Sequence, residues 1–367
     1  MPLPDAFPIT RRALLGAGAA SLAASASAIA DAAPAIPTVD SLSLQVLVDN
    51  QVFGPFLPDL ARPGLKLARN GGDRPPGPVM SRQALQAEFG LSILATSQRA
   101  GRTARVLVDF GYSPETVRNN LALLGIDLSH LDAAVLSHGH LDHYGGFAGV
   151  FGPHARRQVP LYVGGEETFC ERLALVGNPA PVMGALDRAA LARAGFAVRI
   201  APEPQVIEGQ AFTTGTIPLA SFERAAIPTR MRPGKGCAVA GLAPAKRTIA
   251  ELPDDGEHEL ATCYVVKALG LVVIASCSHR GVINSIRQAQ KLSGIDKVHA
   301  VVGGFHLVRP RTEDEARRTV AELKAIDPAW IVPMHCTGDV FIQEALRVLP
   351  DKVVRIYVGN RLTFTAT

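Results

Sequence analysis

Three imidazoles and a carboxylate fall within six positions, at His138, His140, Asp142 and His143. They follow the apolar run Leu131–Leu136 through Ser137 and precede Tyr144-Gly145-Gly146. In an extended chain, residues two apart point the same way, so His138 and His140 share a face. A turn after them brings Asp142 and His143 round to the same cavity. Nitrogen and oxygen donors of this kind suit zinc, one or two ions, and would also accept iron or manganese. The alternative is a polar surface turn with chance histidines. Four ligand-type residues at this spacing make that the poorer reading.

Further candidates stand at the ends of apolar runs in the C-terminal half. Val273-Ile274-Ala275-Ser276-Cys277-Ser278-His279-Arg280-Gly281 leaves a strand and opens a helix. Gly303-Gly304-Phe305-His306-Leu307 follows the next strand, and Pro333-Met334-His335-Cys336-Thr337-Gly338 the last. The glycines beside His306 permit close approach of backbone to a ligand. His306 is read as proton donor to a leaving group, with an ordinary buried histidine as its rival. Cys277 reads equally as a ligand or as a small apolar residue at a strand end, and Cys336 as packing. Arg280 and the loop cations Arg230, Arg232, Lys235, Lys246 and Arg247 would attract an anionic substrate group, although loop arginines are more often solvated. The amide groups opening the helix near Gly281-Val282 would do the same. His130 and His299 read as structural.

H-x-H-x-D-H resembles the signature of the metallo-β-lactamase superfamily. The resemblance implies an αββα sandwich of two mixed sheets with flanking helices and a metal site at one edge. It implies that His138 and His140 hold a first metal, that Asp142 and His143 hold a second, and that His335 is the last histidine ligand. Asp109, after Val106-Leu107-Val108, matches an element that supports the site from behind its ligands. The C-terminal motifs, with Glu88-Phe89-Gly90-Leu91-Ser92, resemble a subgroup named for dihydropterin-ribofuranosyl-aminobenzene-phosphate synthase; Phe89 stands where histidine is expected. Two departures follow. The candidates for a middle histidine are His154, in a surface-like loop, and His258, in an acidic stretch that reads as a solvated turn. The usual bridging aspartate is replaced by Ser276-Cys277-Ser278. His279 is therefore expected to enter the metal shell in compensation, with Cys277 the weaker candidate.

These residues need strands to end at them. Leu42, Leu44, Val46 and Val48 alternate as a strand, and Leu91–Thr96, Arg105–Phe110, Leu161–Val163 and Ala197–Ile200 read likewise. Ser113-Pro114 starts a helix that Gly125 ends, and Leu186–Ala194 is helical. Leu260–Lys267, Gly270–Ala275, Val298–Val302 and Trp330–Met334 are strands. Val282–Leu292 is a helix, and Thr312 with Glu315 fits a capping box for another. The segment of about 202–258 is rich in Pro and Gly with sparse periodicity, and reads as a loop insertion covering the site. The domain expectation is a linker at 31–41 and a single domain at 42–367.

Composition narrows the function classes. The chain has 37 Lys+Arg against 33 Asp+Glu, interspersed, so no polycation points to nucleic acid. Its one Trp argues against a stacking platform for single strands. Cys170, Cys237, Cys263, Cys277 and Cys336 contain no C-x-x-C pair, which excludes a zinc ribbon and a thioredoxin-type motif.

The expected activity is that of a metal-dependent hydrolase: a metal-activated hydroxide attacks an ester, phosphoester or amide of a small, anionic substrate, with Asp142 orienting it and His306 protonating the leaving group. A dihydropterin synthase-like transferase is the alternative, and would need a cytoplasmic pterin pathway. A non-catalytic periplasmic metal- or ligand-binding protein is a third reading. An iron-loaded redox protein of the same fold is a fourth, without a flavin or iron–sulfur motif to support it.

Residues 1–30 read as an address. Arg11-Arg12 precede the uncharged, weakly apolar run Ala13–Ala30, which offers Ala26-Ser27-Ala28 or Ala28-Ile29-Ala30 for cleavage. This looks like a twin-arginine export signal, leaving no stable membrane span after cleavage. The expected partner is the twin-arginine machinery, the expected location periplasmic or secreted. Replacing both Arg11 and Arg12 by Lys is expected to leave precursor in the cytoplasm on fractionation; normal export would point to a general secretory signal.

Overall fold

The structure, a computed structural model, describes residues 35–53, 57–73, 83–151 and 158–366. The export-signal reading and His154 lie outside these residues.

Two mixed sheets carry the architecture. The first has nine strands in the order Phe196–Ile200, Val159–Val163, Ala133–Leu136, Arg102–Val108, Ser92–Arg99, Ser41–Val48, Arg361–Thr365, Leu65–Ala68 and Leu60–Arg62. The second runs Val206–Ile207, Ala211–Thr213, Thr262–Val266, Gly270–Ile274, Val298–Gly303 and Trp330–Pro333, with Thr38–Val39 pairing beside Thr262–Val266. Apolar side chains of both sheets, among them Leu44, Ile93, Val106, Tyr264, Val272, Val302 and Phe364, meet in one core between them. The outer face of the first sheet packs under helix Pro114–Leu124 through Val117, Leu121 and Leu124. That of the second packs under Val282–Ser293, Glu313–Ile326 and Asp339–Val348. These layers are the αββα sandwich that the resemblance implied.

The local signals act as physical chemistry requires. Ser113 accepts the amide of Thr116, Pro opens the helix, and Gly125 closes it in the left-handed conformation at φ 69°. Thr312 and Glu315 form the reciprocal capping box.

Among the elements not legible are the hairpin Leu60–Arg62/Leu65–Ala68, the helix Asp339–Val348, and Arg361–Thr365, which pairs with Ser41–Val48 inside the first sheet. The first and last take their places from distant partners, not from their own pattern. Within the stretch expected as a linker, 31–41, Thr38–Val39 is paired with Val265 and Val266.

The 202–258 segment is also corrected. Beyond two short strands of the second sheet, it supplies Thr229–Arg232 and Leu252–Pro253 to a small third sheet, with Glu171–Ala174 and Val182–Gly184. Strands of two to four residues between prolines and glycines are too short to show a period. A disulfide, Cys170–Cys237, ties this sheet's margin across 67 residues of chain.

Phe364 is fully buried between the sheets. Phe364→Ala is expected to cost about 3–5 kcal/mol in urea unfolding, the usual penalty for deleting a buried aromatic ring.

Candidate metal centre

The expected donors converge at one end of the sandwich, where strands of both sheets stop. Ser137 leaves Ala133–Leu136; the chain bends at His138 and Gly139, His140 is extended, and Asp142 and His143 lie in the short helix Leu141–Tyr144. Gly139 between the histidines admits no side chain, because a Cβ there would stand 2.2 Å from the Thr168 carbonyl oxygen. His279, His306 and His335 come from the loops after Gly270–Ile274, Val298–Gly303 and Trp330–Pro333. Asp109, Ser278, His306 and His335 all adopt positive φ, at 59°, 60°, 42° and 45°. That conformation costs of order 1–3 kcal/mol for a residue other than glycine. It turns each strand end sharply inward.

Five histidines each have one ring nitrogen committed to the protein. His143 Nδ1 donates to Asp109 Oδ2 at 2.7 Å. Asp109 also accepts the Ser137 hydroxyl at 2.8 Å and the Ser137 amide at 2.7 Å. With its own proton given to Asp109, the Ser137 hydroxyl accepts from His138 Nδ1 at 2.9 Å. His140 Nε2 donates to Thr229 Oγ1 at 3.1 Å, while Thr229 donates to Asp254 at 3.4 Å. His279 Nδ1 donates to the Ala226 carbonyl at 3.2 Å. His335 Nδ1 donates to Asn50 Oδ1 at 3.0 Å, and Asn50 Nδ2 returns a bond to the His335 carbonyl. Each assignment places the second nitrogen toward the centre.

The inward atoms form two sets. One nitrogen each of His138, His140 and His279 lie within 4.8 Å of one another, and so do donor atoms of Asp142, His143 and His335. Cys277 Sγ stands within that distance of His138 and His143, and again of His279 and His306. His279 therefore faces His138 and His140, its ring centroid 4.8 Å from each. Nε2 of His138 and of His279 is buried without a hydrogen-bond partner. A buried nitrogen left unpaired costs about 1–3 kcal/mol, and a cation between these lone pairs removes that penalty. The donor set thus fits a metal ion.

The electrostatics of four rings agree. Burial, helped by the neighbouring imidazoles, pushes His138 and His279 well below the ordinary histidine range. Burial and Arg172 bring His140 down to about 4, and burial with His140 brings His306 to about 3. These rings are neutral at pH 7, with lone pairs free. Burial opposes the charge of Asp142, but His143 and His335 hold the carboxyl below its usual value. Against burial, Cys336 and Asp142 push His335 up to about 9.

Other expectations are corrected. Arg280 does not face substrate: its guanidinium is buried and donates to the carbonyls of Ile217 and Asp255. The helix opening at Val282 is closed by Glu223, which accepts the Ile283 and Asn284 amides. The loop cations are likewise engaged, Arg230 and Arg232 with Glu251, Lys235 with Glu171, and Lys246 with Glu167, Asp255 and Glu257. Arg247 donates to the carbonyls of Leu242 and Ala240. His258 is buried and accepts from Arg172 at 3.0 Å, so it is no solvated turn. His299 donates to the Gly64 carbonyl.

Sequence reasoning missed Asn50, Thr229 and Glu259. Glu259 is wholly buried and accepts the amides of both His279 and Arg280, at 2.7 Å each; burial pushes its carboxyl up to about 7. The polar pair Asp49-Asn50 after a clear strand was a signal for Asn50. Thr229 and Glu259 gave none. A cavity of about 370 Å³ opens onto His306, His335 and Cys336, bordered by Asn50, Phe89 and Arg355. Phe89 lies over the His335 ring, centroids 4.9 Å apart.

Residues 88–169 match the sequence profile of the Metallo-beta-lactamase superfamily. The 7,8-dihydropterin-6-methyl-4-(beta-D-ribofuranosyl)-aminobenzene-5'-phosphate synthase of Methanocaldococcus jannaschii is 26% identical, over 76% of this chain and 90% of that one. An uncharacterized protein of the same organism is 30% identical, over 64% and 79%. The crystal structure of Tm1679, described as a metal-dependent hydrolase of the beta-lactamase superfamily, superposes with a TM-score of 0.62 at 22% identity, covering 87% of this chain and 98% of that one.

Asp109→Asn exchanges the anionic acceptor behind Ser137 and His143 for a neutral one. It is expected to weaken zinc binding about 10–100-fold in titration, the usual effect of losing a partner behind a ligand, with the circular-dichroism spectrum unchanged.

Proposed function

The chain belongs to the metallo-β-lactamase superfamily, and from that premise we propose that it is an exported metal-dependent hydrolase of an ester, phosphoester or amide. The observation that carries this reading is the double commitment of its histidines, one nitrogen bonded outward and the other turned to a shared centre.

His138, His140 and His279 would hold one ion and Asp142, His143 and His335 a second, with Cys277 between the sets. A divalent ion there, zinc by its donor set, supplies Lewis acidity and water of lowered pKa. The protein supplies the rest. Asp142 stays ionised, and its carboxylate would orient the attacking water by accepting a hydrogen bond from it. His306 borders the cavity with Nδ1 unpaired. Being neutral, it serves a leaving group through a ring N–H, not as an imidazolium. Phe89 and Met334 restrict water at the mouth. Arg355 is the cation bordering this cavity and meets an anionic substrate group there, in place of Arg280.

Export is supported by Arg11-Arg12 and by the Cys170–Cys237 disulfide, a bond that persists in oxidising compartments. A second reading, a dihydropterin synthase-like transferase, is favoured by the 26%-identical relative.

Zinc-loaded protein is expected to hydrolyse members of a panel of aryl esters and phosphodiesters. His138→Ala and His143→Ala are expected to lose bound zinc and turnover together, by metal analysis and rate, while keeping the fold. Full zinc in either variant refutes the ligand assignment. Dihydropterin product from a panel-inactive enzyme establishes the transferase reading instead.

A further inference from the structure

Cys277 and Cys336 leave the ends of two strands that are not neighbours. Gly270–Ile274 and Trp330–Pro333 lie on either side of Val298–Gly303. Their loops nonetheless meet over the end of the central strand, and the two sulfurs stand 3.1 Å apart. Cys336 Sγ also lies 3.6 Å from the Cys277 carbonyl oxygen. Glycine at 304 makes this meeting possible: a Cβ there would stand 2.7 Å from Cys336 Sγ and 2.5 Å from the Ser276 carbonyl oxygen. Both thiols are buried from bulk water, but Cys336 borders the 370 Å³ cavity that gives small molecules access. Cys277 is also the sulfur standing between the two donor sets.

We propose that Cys277 and Cys336 are a redox-reactive pair, which closes into a second disulfide and so withdraws the Cys277 sulfur from the metal centre. The withdrawal rests on the metal-centre reading above; the reactivity of the pair does not. The oxidant is a low-molecular-weight disulfide such as oxidised glutathione. The Cys336 thiolate, reached through the cavity, attacks one sulfur of that reagent; its S–S bond breaks and one thiolate leaves. The Cys277 sulfur then attacks the Cys336 sulfur of the mixed disulfide, forming the Cys277–Cys336 bond and releasing the second thiolate. Two cysteine thiols lose two protons and two electrons, and one external disulfide is reduced to two thiols. A reducing dithiol reverses the sequence. Metal and disulfide compete for the same sulfur, so each excludes the other.

The test uses the full chain, stripped of metal by a chelator and incubated with oxidised glutathione. Alkylation without reduction and peptide mass mapping are expected to find Cys277 linked to Cys336, with Cys263 the remaining alkylated cysteine. Zinc uptake, measured after the reagent is removed, is expected to fall about tenfold or more, a loss at least as large as that of a ligand's supporting partner, and to return with dithiothreitol. Zinc-loaded protein is expected to form the link at least about tenfold more slowly by the same competition. Cys336→Ser is expected to form no link and to take up zinc independently of oxidised glutathione. Alkylation of both cysteines in the oxidised wild-type chain overturns the proposal, and so does a complete link with zinc uptake unchanged. If reduced protein takes up no zinc while the link forms, the metal-centre reading and the withdrawal fail, and the reactive pair stands.

Discussion

A buried imidazole has two nitrogens and must place both. Here the outward nitrogen of each of five histidines is committed to a fixed acceptor: Asp109, Ser137, Thr229, the Ala226 carbonyl or Asn50. That commitment fixes the ring and aims its inward nitrogen. Much of the surrounding structure exists to place those acceptors. Asp109 alone orients two histidines, one directly and one through the Ser137 hydroxyl, and does so without solvent.

The acceptors come from separate layers. Asp109, Ser137 and Asn50 stand at strand ends of the first sheet, Ala226 in the segment leading to the third sheet, and Thr229 within that sheet. The two large sheets bring the His138–His143 segment to the loops that carry His279, His306 and His335. Strain at four positive-φ residues is held by the buried strands on which they end. Rigid strands with strained, short exits give these side chains less freedom than flexible loops would.

The small third sheet is more than a cover. Arg172 is buried within it, its guanidinium bonded to Asp254 and to the carbonyls of Thr168, Cys170 and Glu167. Asp254 accepts from Thr229, which in turn holds His140. A buried charge is stable only when paired and fully bonded, so Arg172 fixes the geometry on which His140 depends. The disulfide at Cys170 adjoins the same carbonyls.

The sequence by itself determined the donors and the class of fold. H-x-H-x-D-H after an apolar run, and histidines at three later strand ends, are local patterns, and local patterns survive without coordinates. The strands and capped helices around them were legible for the same reason: periodicity and cap chemistry act over a few residues. Tertiary structure decided everything that depends on partners far along the chain. It placed His279 with His138 and His140, about 140 residues away in sequence. It turned Arg280 into a buried backbone clamp and gave Glu223 the helix start that an anion was expected to occupy. It made two cysteines neighbours across a strand that contains neither. The 202–258 segment shows the limit most plainly. Its strands are too short to carry a period, so only pairing with Glu171–Ala174 reveals that it holds Thr229 against His140.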